Sequence, residues 1–252
     1  FVKPGTDDQW FDHWVQERFF WYTDLGIKKG NLRLREHGKD ELAHYARCCS
    51  DIEYLFPMGW AELEGIANRG DFDLTQHSKS SGRALEYFDE ETGKSLVPYV
   101  IEPSAGVDRS TLAFLLDAYD EEQNKDELRV VLRLHPSIAP ISIAVLPLSR
   151  REEPANLARE VHAKLRPHFM TTYDDTQSIG RRYRRQDEIG TPLCVTIDFQ
   201  SLEDNQATVR DRDSMLQIRV PIPELKHVLQ AKLNGETLET QPLWSSHQTD
   251  KA

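Results

Sequence analysis

Apolar residues recur at helical spacing over residues 7–22, where Trp10, Phe11, Trp14, Phe19 and Trp21 sit among charged side chains and Asp7 or Asp8 can cap the first turn. That stripe reads as a core-packing face. Residues 32–46 also mix apolar and charged positions at a helical period, which predicts a second helix carrying His37 and His44 on its solvated surface. From 50 to 74 the chain is extended, with Ile52, Tyr54 and Phe56 alternating. The polar stretch 77–95, with an acidic turn at 89–93, predicts a loop and hairpin. Tyr99, Val100 and Ile101 then form a short strand that Pro103 stops, Gly106 permits a tight turn, and Asp108 or Ser110 can cap a helix. Leu112, Leu115, Leu116 and Tyr119 give that helix its apolar face.

Residues 120–127 read as an acidic, solvated link and 128–134 as a last strand of the first domain's sheet. The composition changes at His135-Pro-Ser-Ile-Ala-Pro140, which marks a domain boundary. Beyond it, strands at 141–146, 169–173 and 193–198 alternate with helices at 154–165 and 179–188. An antiparallel edge at 207–210 and 217–220 and a helix at 222–233 follow. This order predicts a mainly parallel sheet covered by helices. The whole reads as an α/β (α+β) chain with domains at 1–134 and 135–234 and a tail at 235–252.

A formal net charge of -11 argues against binding nucleic acid with the whole surface, so an RNA contact needs a local basic patch. Arg181, Arg182, Arg184 and Arg185 provide one, with Tyr183 available to stack on a base. No apolar run approaches the ~20 residues of a membrane span, so no membrane partner is expected. Cys48, Cys49 and Cys194 show neither metal-ligand spacing nor a disulfide framework. A reducing, cytoplasmic setting without a zinc-type site is the expectation.

Two features carry chemistry. A strand running through a turn into a helix that begins with Arg109 suits a phosphate, because helix-start amides and a fixed guanidinium both attract an anion. Glu62 and Glu64, two apart in a strand, are predicted to point the same way. Like carboxylates on one face repel unless a cation separates them, so Mg²⁺ or an ammonium is expected between them.

The string Glu102-Pro103-Ser104-Ala105-Gly106-Val107-Asp108-Arg109, followed by an apolar helix, resembles motif 3 of the class II aminoacyl-tRNA synthetases in the wording of the glycyl-tRNA synthetases. Trp60-Ala-Glu62-Leu63-Glu64-Gly-Ile-Ala67 is similar to a phrase of the same family, and Arg33-Leu-Arg35-Glu36-His37 to a segment near its active site. Gly180-x-x-Tyr183-x-x-x-Asp187-Glu188-Ile-Gly190-x-Pro192 and Val209-Arg-Asp-Arg-Asp213 resemble the anticodon-binding domain of class IIa. The resemblance implies part of a class II antiparallel-sheet catalytic domain followed by an α/β anticodon-binding domain. It implies ATP contacts from Glu62, Leu63, Gly106, Val107, Asp108 and Arg109, with Arg109 on the γ-phosphate. Glycine contacts would come from Glu102, Pro103, Ser104, Ala105 and Gly106, with Glu102 and Arg109 as the catalytic pair. Substrates would be glycine, ATP with Mg²⁺, and tRNA(Gly), and the full-length parent a homodimer. In the family the words Phe1-Val-x-Pro-Gly5 follow motif 2, so this chain reads as a fragment, without motifs 1 and 2 and inactive by itself. The rival is a non-catalytic, synthetase-like nucleic-acid-binding protein or accessory subunit, against which the intact Glu102, Ser104, Gly106, Asp108 and Arg109 speak.

Overall fold

In the computed structural model, which describes residues 1–124 and 127–236, the chain divides into two units, Phe1–Asp117 and the residues from Ala118 onward. The first unit runs α1 (Asp7–Asp24), β1 (Leu32–Glu36), β2 (Cys48–Phe56), β3 (Gly59–Gly70), α2 (Phe72–Ser81), β4 (Tyr87–Asp89), β5 (Lys94–Leu96), β6 (Val100–Ala105) and α3 (Val107–Ala118). Strands β1-β2-β3-β6 form an antiparallel sheet in that order, and β4 and β5 pair as a separate hairpin. Ile52, Tyr54 and Phe56 alternate as predicted, and with Leu63, Ile66 and Ile101 they pack under Val15, Tyr22 and Ala113 of the helices.

Several local expectations are overturned. Residues 32–46 hold no helix, because Arg33 and Arg35 stand opposite Glu53 and Asp51 across the β1–β2 ladder, and cross-strand charge pairing fits a strand. The stretch 72–81 is a helix where an extended segment and then a loop were expected. Pro103 does not stop its strand, since β6 lies at the sheet edge, where a missing N–H is tolerated. The tryptophans of α1 are not its core face either. Val15 and Tyr22 are buried, with Phe11 and Phe19 packed beside them, whereas Trp10, Trp14 and Trp21 stay exposed. On α3, Ala113, Phe114 and Leu116 take the core, Leu112 and Leu115 are exposed, and Tyr119 opens the next strand.

Asp7, at the start of α1, is buried and accepts hydrogen bonds from Asn68 (2.8 Å), the Gly5 amide (3.2 Å) and Arg47 (2.8 Å). Burial opposes its ionisation, but the Asn68 and backbone hydrogen bonds and the Arg47 charge prevail, and the carboxyl sits below its ordinary range. Its folded value lies under the unfolded one of about 3.9, so the stabilisation is present at neutral pH and is lost as pH falls through the folded value. Asp7→Asn is therefore expected to flatten the acid side of the stability curve. Urea titrations at neutral and acidic pH would check this, and equal losses in both proteins would contradict it.

The second unit opens with a hairpin of β7 (Tyr119–Asn124) and β8 (Glu127–Leu132). Residues 128–134 are thus no strand of the first sheet. Arg129 ties the hairpin to the later helix through Asp187 (2.8 Å), which explains why the units divide at 117 rather than at the expected 134. Then come β9 (Ile143–Pro147), α4 (Glu152–Leu165), β10 (Thr171–Tyr173), α5 (Ile179–Ile189), β11 (Leu193–Ile197), α6 (Ser201–Asp204), β12 (Gln206–Asp211), β13 (Gln217–Pro221) and α7 (Leu225–Leu233). The sheet order is β10-β9-β11-β12-β13, with β9, β10 and β11 parallel and β12 and β13 antiparallel. Val145, Val195 and Val209 pack on α4 and α7 over one face, while Ala144, Leu146 and Cys194 meet Ile179 and Tyr183 of α5 on the other. Burial pushes the Cys194 thiol up to about 12. Residues 237–252 of the expected tail lie outside the described residues.

Gly190 ends α5 at φ +84°, and a Cβ there would stand 2.9 Å from the Leu132 carbonyl oxygen. Gly190→Ala combines left-handed backbone strain with that clash, so a loss of about 2 kcal/mol or more is expected. An unchanged urea midpoint would refute it.

Candidate active site

The ladder between β2 and β3 shifts at one point: Ile52 pairs with Glu64, but Glu53 pairs with Glu62. The extra residue, Leu63, is a β-bulge, and it reverses the expected geometry of the two glutamates. Glu64 turns to the helix side, where it is buried and accepts from Arg18 Nε (2.6 Å), Arg18 Nη2 (3.0 Å) and the Tyr22 hydroxyl (2.8 Å). Burial first, and the Glu64 charge with it, pushes the Tyr22 hydroxyl up to about 12, so it stays a donor. The Glu62 carboxylate lies on the opposite side, against the bare face of Gly65. The expectation of one cation between the two carboxylates therefore fails. Glu64 already has its cation in Arg18.

The bulge also aims the Glu62 backbone. Its carbonyl accepts from Arg109 Nη1 at 2.7 Å, which holds an exposed guanidinium over the sheet edge with no other partner among the described residues. Glu62, Leu63, Ser104, Gly106, Val107, Asp108 and Arg109 line one cleft of about 430 Å³. Helix α3 starts at Val107, and Gly106 rather than Asp108 or Ser110 precedes it, accepting the Ser110 amide at 2.9 Å. The cleft therefore combines a helix N-terminus, a guanidinium with unspent donors and a carboxylate at its lip. Such a set can receive a polyphosphate.

Register places Glu102 beside Ala67 and Ser104 beside Gly65 on β6, so both share the sheet face of Glu62. Glu102 Oε2 accepts from Arg69 Nη1 at 2.6 Å. Arg69 is itself fixed by Asp73 (2.6 and 2.9 Å) and lies 4.0 Å from the centre of the Tyr45 ring. The hydrogen bonds from Arg69 hold the Asp73 carboxyl below its ordinary range. One Glu102 oxygen is thus engaged, and the residue is oriented by Arg69, whose role periodicity alone does not reveal. Ala105 ends β6 in register with Glu64, and Pro103 pairs opposite Ile66.

His37 is not a helix-surface histidine. It follows β1, and its Nε2 lies 2.7 Å from Asp51 Oδ2. His44 packs edge-on against Tyr45 and Phe72.

In the second unit the four arginines of α5 part company. Arg182 is buried and donates to the carbonyls of Pro147, Asp174 and Gln177, so it is not available to a phosphate. Arg185 is half-buried and paired with Asp174. Arg181 and Arg184 are exposed. Tyr183 is no free stacking ring either, since its hydroxyl hydrogen-bonds Thr196 (2.6 Å) and Arg210 lies 4.8 Å from its ring centre. Spacing did not reveal this division, because a side chain on α5 can turn inward to satisfy carbonyls at strand ends.

Residues 142–232 match the anticodon binding domain family. The glycine–tRNA ligase of Thermobifida fusca (strain YX) is 56% identical over 243 residues, covering 93% of this chain and 53% of that protein. That of Geobacillus kaustophilus (strain HTA426) is 54% identical over 234 residues, covering 92% and 50%. The chain thus spans about half the length of the curated relatives it matches. The crystal structure of prolyl-tRNA synthetase from Cryptosporidium parvum complexed with L-proline and AMP superimposes with a TM-score of 0.65 at 20% identity. It covers 91% of this chain and 47% of that one, and the likeness is one of fold. By these matches residues 142–232 belong to the anticodon binding domain family, and the chain as a whole is similar to one half of the glycine–tRNA ligases and shares the fold of the prolyl-tRNA synthetase chain.

Proposed function

We propose that this chain supplies the far-phosphate clamp, the glycine-pocket strand and the tRNA-binding unit of an enzyme that activates glycine with ATP and transfers it to tRNA(Gly). The observation that carries the reading is the single cleft that gathers Glu62, Leu63, Ser104 and Gly106 to Arg109. In the first step a glycine carboxylate oxygen attacks the α-phosphorus, the bond to the β-phosphate oxygen breaks, and pyrophosphate leaves. In the second a terminal ribose hydroxyl attacks the carbonyl carbon of glycyl-adenylate, and AMP leaves. Neither step needs a covalent enzyme intermediate, so the protein's work is positioning and charge stabilisation.

Arg109 takes the γ-phosphate with the donors that Glu62 leaves unspent. Glu102 takes the glycine ammonium, and Arg69 holds that carboxylate in place through one oxygen. Mg²⁺ neutralises phosphate charge when bound. Of the two glutamates only Glu62 fits that role, since Mg²⁺ is commonly held by one or two carboxylates plus phosphates and Glu64 is committed to Arg18. Arg181, Arg184 and Arg185 are the tRNA-phosphate candidates on α5. A homodimer and a cytoplasmic setting belong to the same proposal. Among the described residues no helix is long and apolar enough to cross a membrane.

Glycine-dependent exchange of pyrophosphate into ATP tests the proposal, in the protein extended to the length of its relatives. Exchange with glycine, and little with alanine or serine, is the expected result. Equal exchange with all three would overturn the specificity, and tRNA binding with no exchange would favour the non-catalytic reading.

A further inference from the structure

The open face of the first sheet carries a second cluster outside the cleft. Cys49 and Asp51 lie two apart on β2 and so share a face, and His37 continues β1 beside them. The His37 amide donates to the Cys49 carbonyl at 3.0 Å, which fixes the two backbones together, and His37 Nε2 meets Asp51 Oδ2 at 2.7 Å. One imidazole nitrogen, one thiol sulfur and one carboxylate oxygen all lie within 4.8 Å of one another. We propose that His37, Cys49 and Asp51 form a zinc site with three protein ligands and a fourth position for water.

The donor set selects the metal. Nitrogen, sulfur and oxygen together suit Zn²⁺, whereas Mg²⁺ and Ca²⁺ want oxygen alone. Tetrahedral Zn²⁺ with ligands at 2.0–2.3 Å needs donor atoms about 3.5 Å apart, so the cluster closes with side-chain shifts only. The surroundings favour a cation as well. Gly65 has no side chain to separate Asp51 from Glu62, and both carboxylates reach within 3.5 Å of the position its Cβ would fill. The competing protein cation is Arg35, but its Nη1 stands 3.7 Å from Asp51 while its Nη2 is held by Glu41 at 2.5 Å. The site was hidden in the sequence because its ligands come from two segments with no metal-binding spacing between them.

Co²⁺ is the probe, added to the purified 252-residue chain. One equivalent is expected to bind with a thiolate-to-cobalt charge-transfer absorption that Zn²⁺ abolishes by displacement. Cys49→Ser should remove the band, whereas Cys48→Ser and Cys194→Ser should keep it. His37→Gln should weaken Co²⁺ by roughly 100-fold or more, since even the hydrogen-bonded partners of metal ligands are worth 10–100-fold. Absence of the band, its survival in Cys49→Ser, or its loss in Cys48→Ser would overturn the proposal. A readout in the unaltered chain guards against a variant that fails to fold: Zn²⁺ should protect Cys49 from alkylation, located by peptide mass. Unchanged labelling would count against the site.

Discussion

On the proposed function, Arg109→Ala is expected to lower ATP-dependent glycine activation by about 10²- to 10³-fold in the protein extended to the length of its relatives, while leaving its folding intact. The side chain is exposed and its one hydrogen bond among the described residues is to the Glu62 carbonyl, so its loss should change stability by no more than about 0.5 kcal/mol. The chemistry suffers far more. A charge-assisted hydrogen bond contributes about 1.5–3 kcal/mol, and a preorganised donor facing charge that develops in the transition state about 3–4 kcal/mol. Negative charge builds on the leaving pyrophosphate, so kcat should fall as well as KM for ATP rise. Arg109→Lys keeps the charge but loses the planar fork that can hold the Glu62 carbonyl and, on the proposed function, a phosphate at once, so it should recover only part of the rate. Pyrophosphate exchange and a urea titration on the same preparations would check this. Exchange kinetics within twofold of the unaltered enzyme would return Arg109 to an ordinary surface residue.

The legible parts of the fold were those set by local pattern. The alternation of Ile52, Tyr54 and Phe56 marks one face of β2, and β9 to β13 with α4, α5 and α7 lie within a few residues of where periodicity placed them, whereas β7 replaces an expected solvated link and α6 had no counterpart in the pattern. The failures arise where another part of the chain decides the outcome. Residues 32–36 suit a helix by period and become a strand because Glu53 and Asp51 await Arg33 and Arg35 on β2. Residues 128–134 look like one more sheet strand and instead close a hairpin anchored on Asp187. The cleft residues were readable because most of them are contiguous around one turn. The split of Glu62 from Glu64 was not, since a bulge is a property of the ladder and leaves no mark on the i, i+2 spacing.

Asp187 of α5 is the residue whose removal should cost the second unit most. It is buried, and it accepts from Arg210 Nη1 (2.8 Å), Arg210 Nη2 (3.0 Å) and Arg129 Nε (2.8 Å), both arginines being buried too. Arg129 has other support in Glu122 and the Arg212 carbonyl. Arg210 has the Tyr183 ring but no second carboxylate among the described residues, so Asp187→Ala strands a guanidinium that stays charged in an apolar setting. Breaking a buried pair from one side costs about 3–5 kcal/mol, a large share of the 5–15 kcal/mol that holds a typical domain. Replacing both partners is gentler, since the penalty lies in the unpaired charge rather than in the lost bond. Asp187→Ala with Arg210→Met should therefore recover much of the loss. Urea unfolding followed by circular dichroism would give the midpoints. Amide hydrogen exchange would place the weakening in β11 and β12, with the sheet of the first unit unmoved. A single-variant loss below about 1 kcal/mol, the scale of an exposed ion pair, would show that Asp187 does not hold the hairpin and the sheet together.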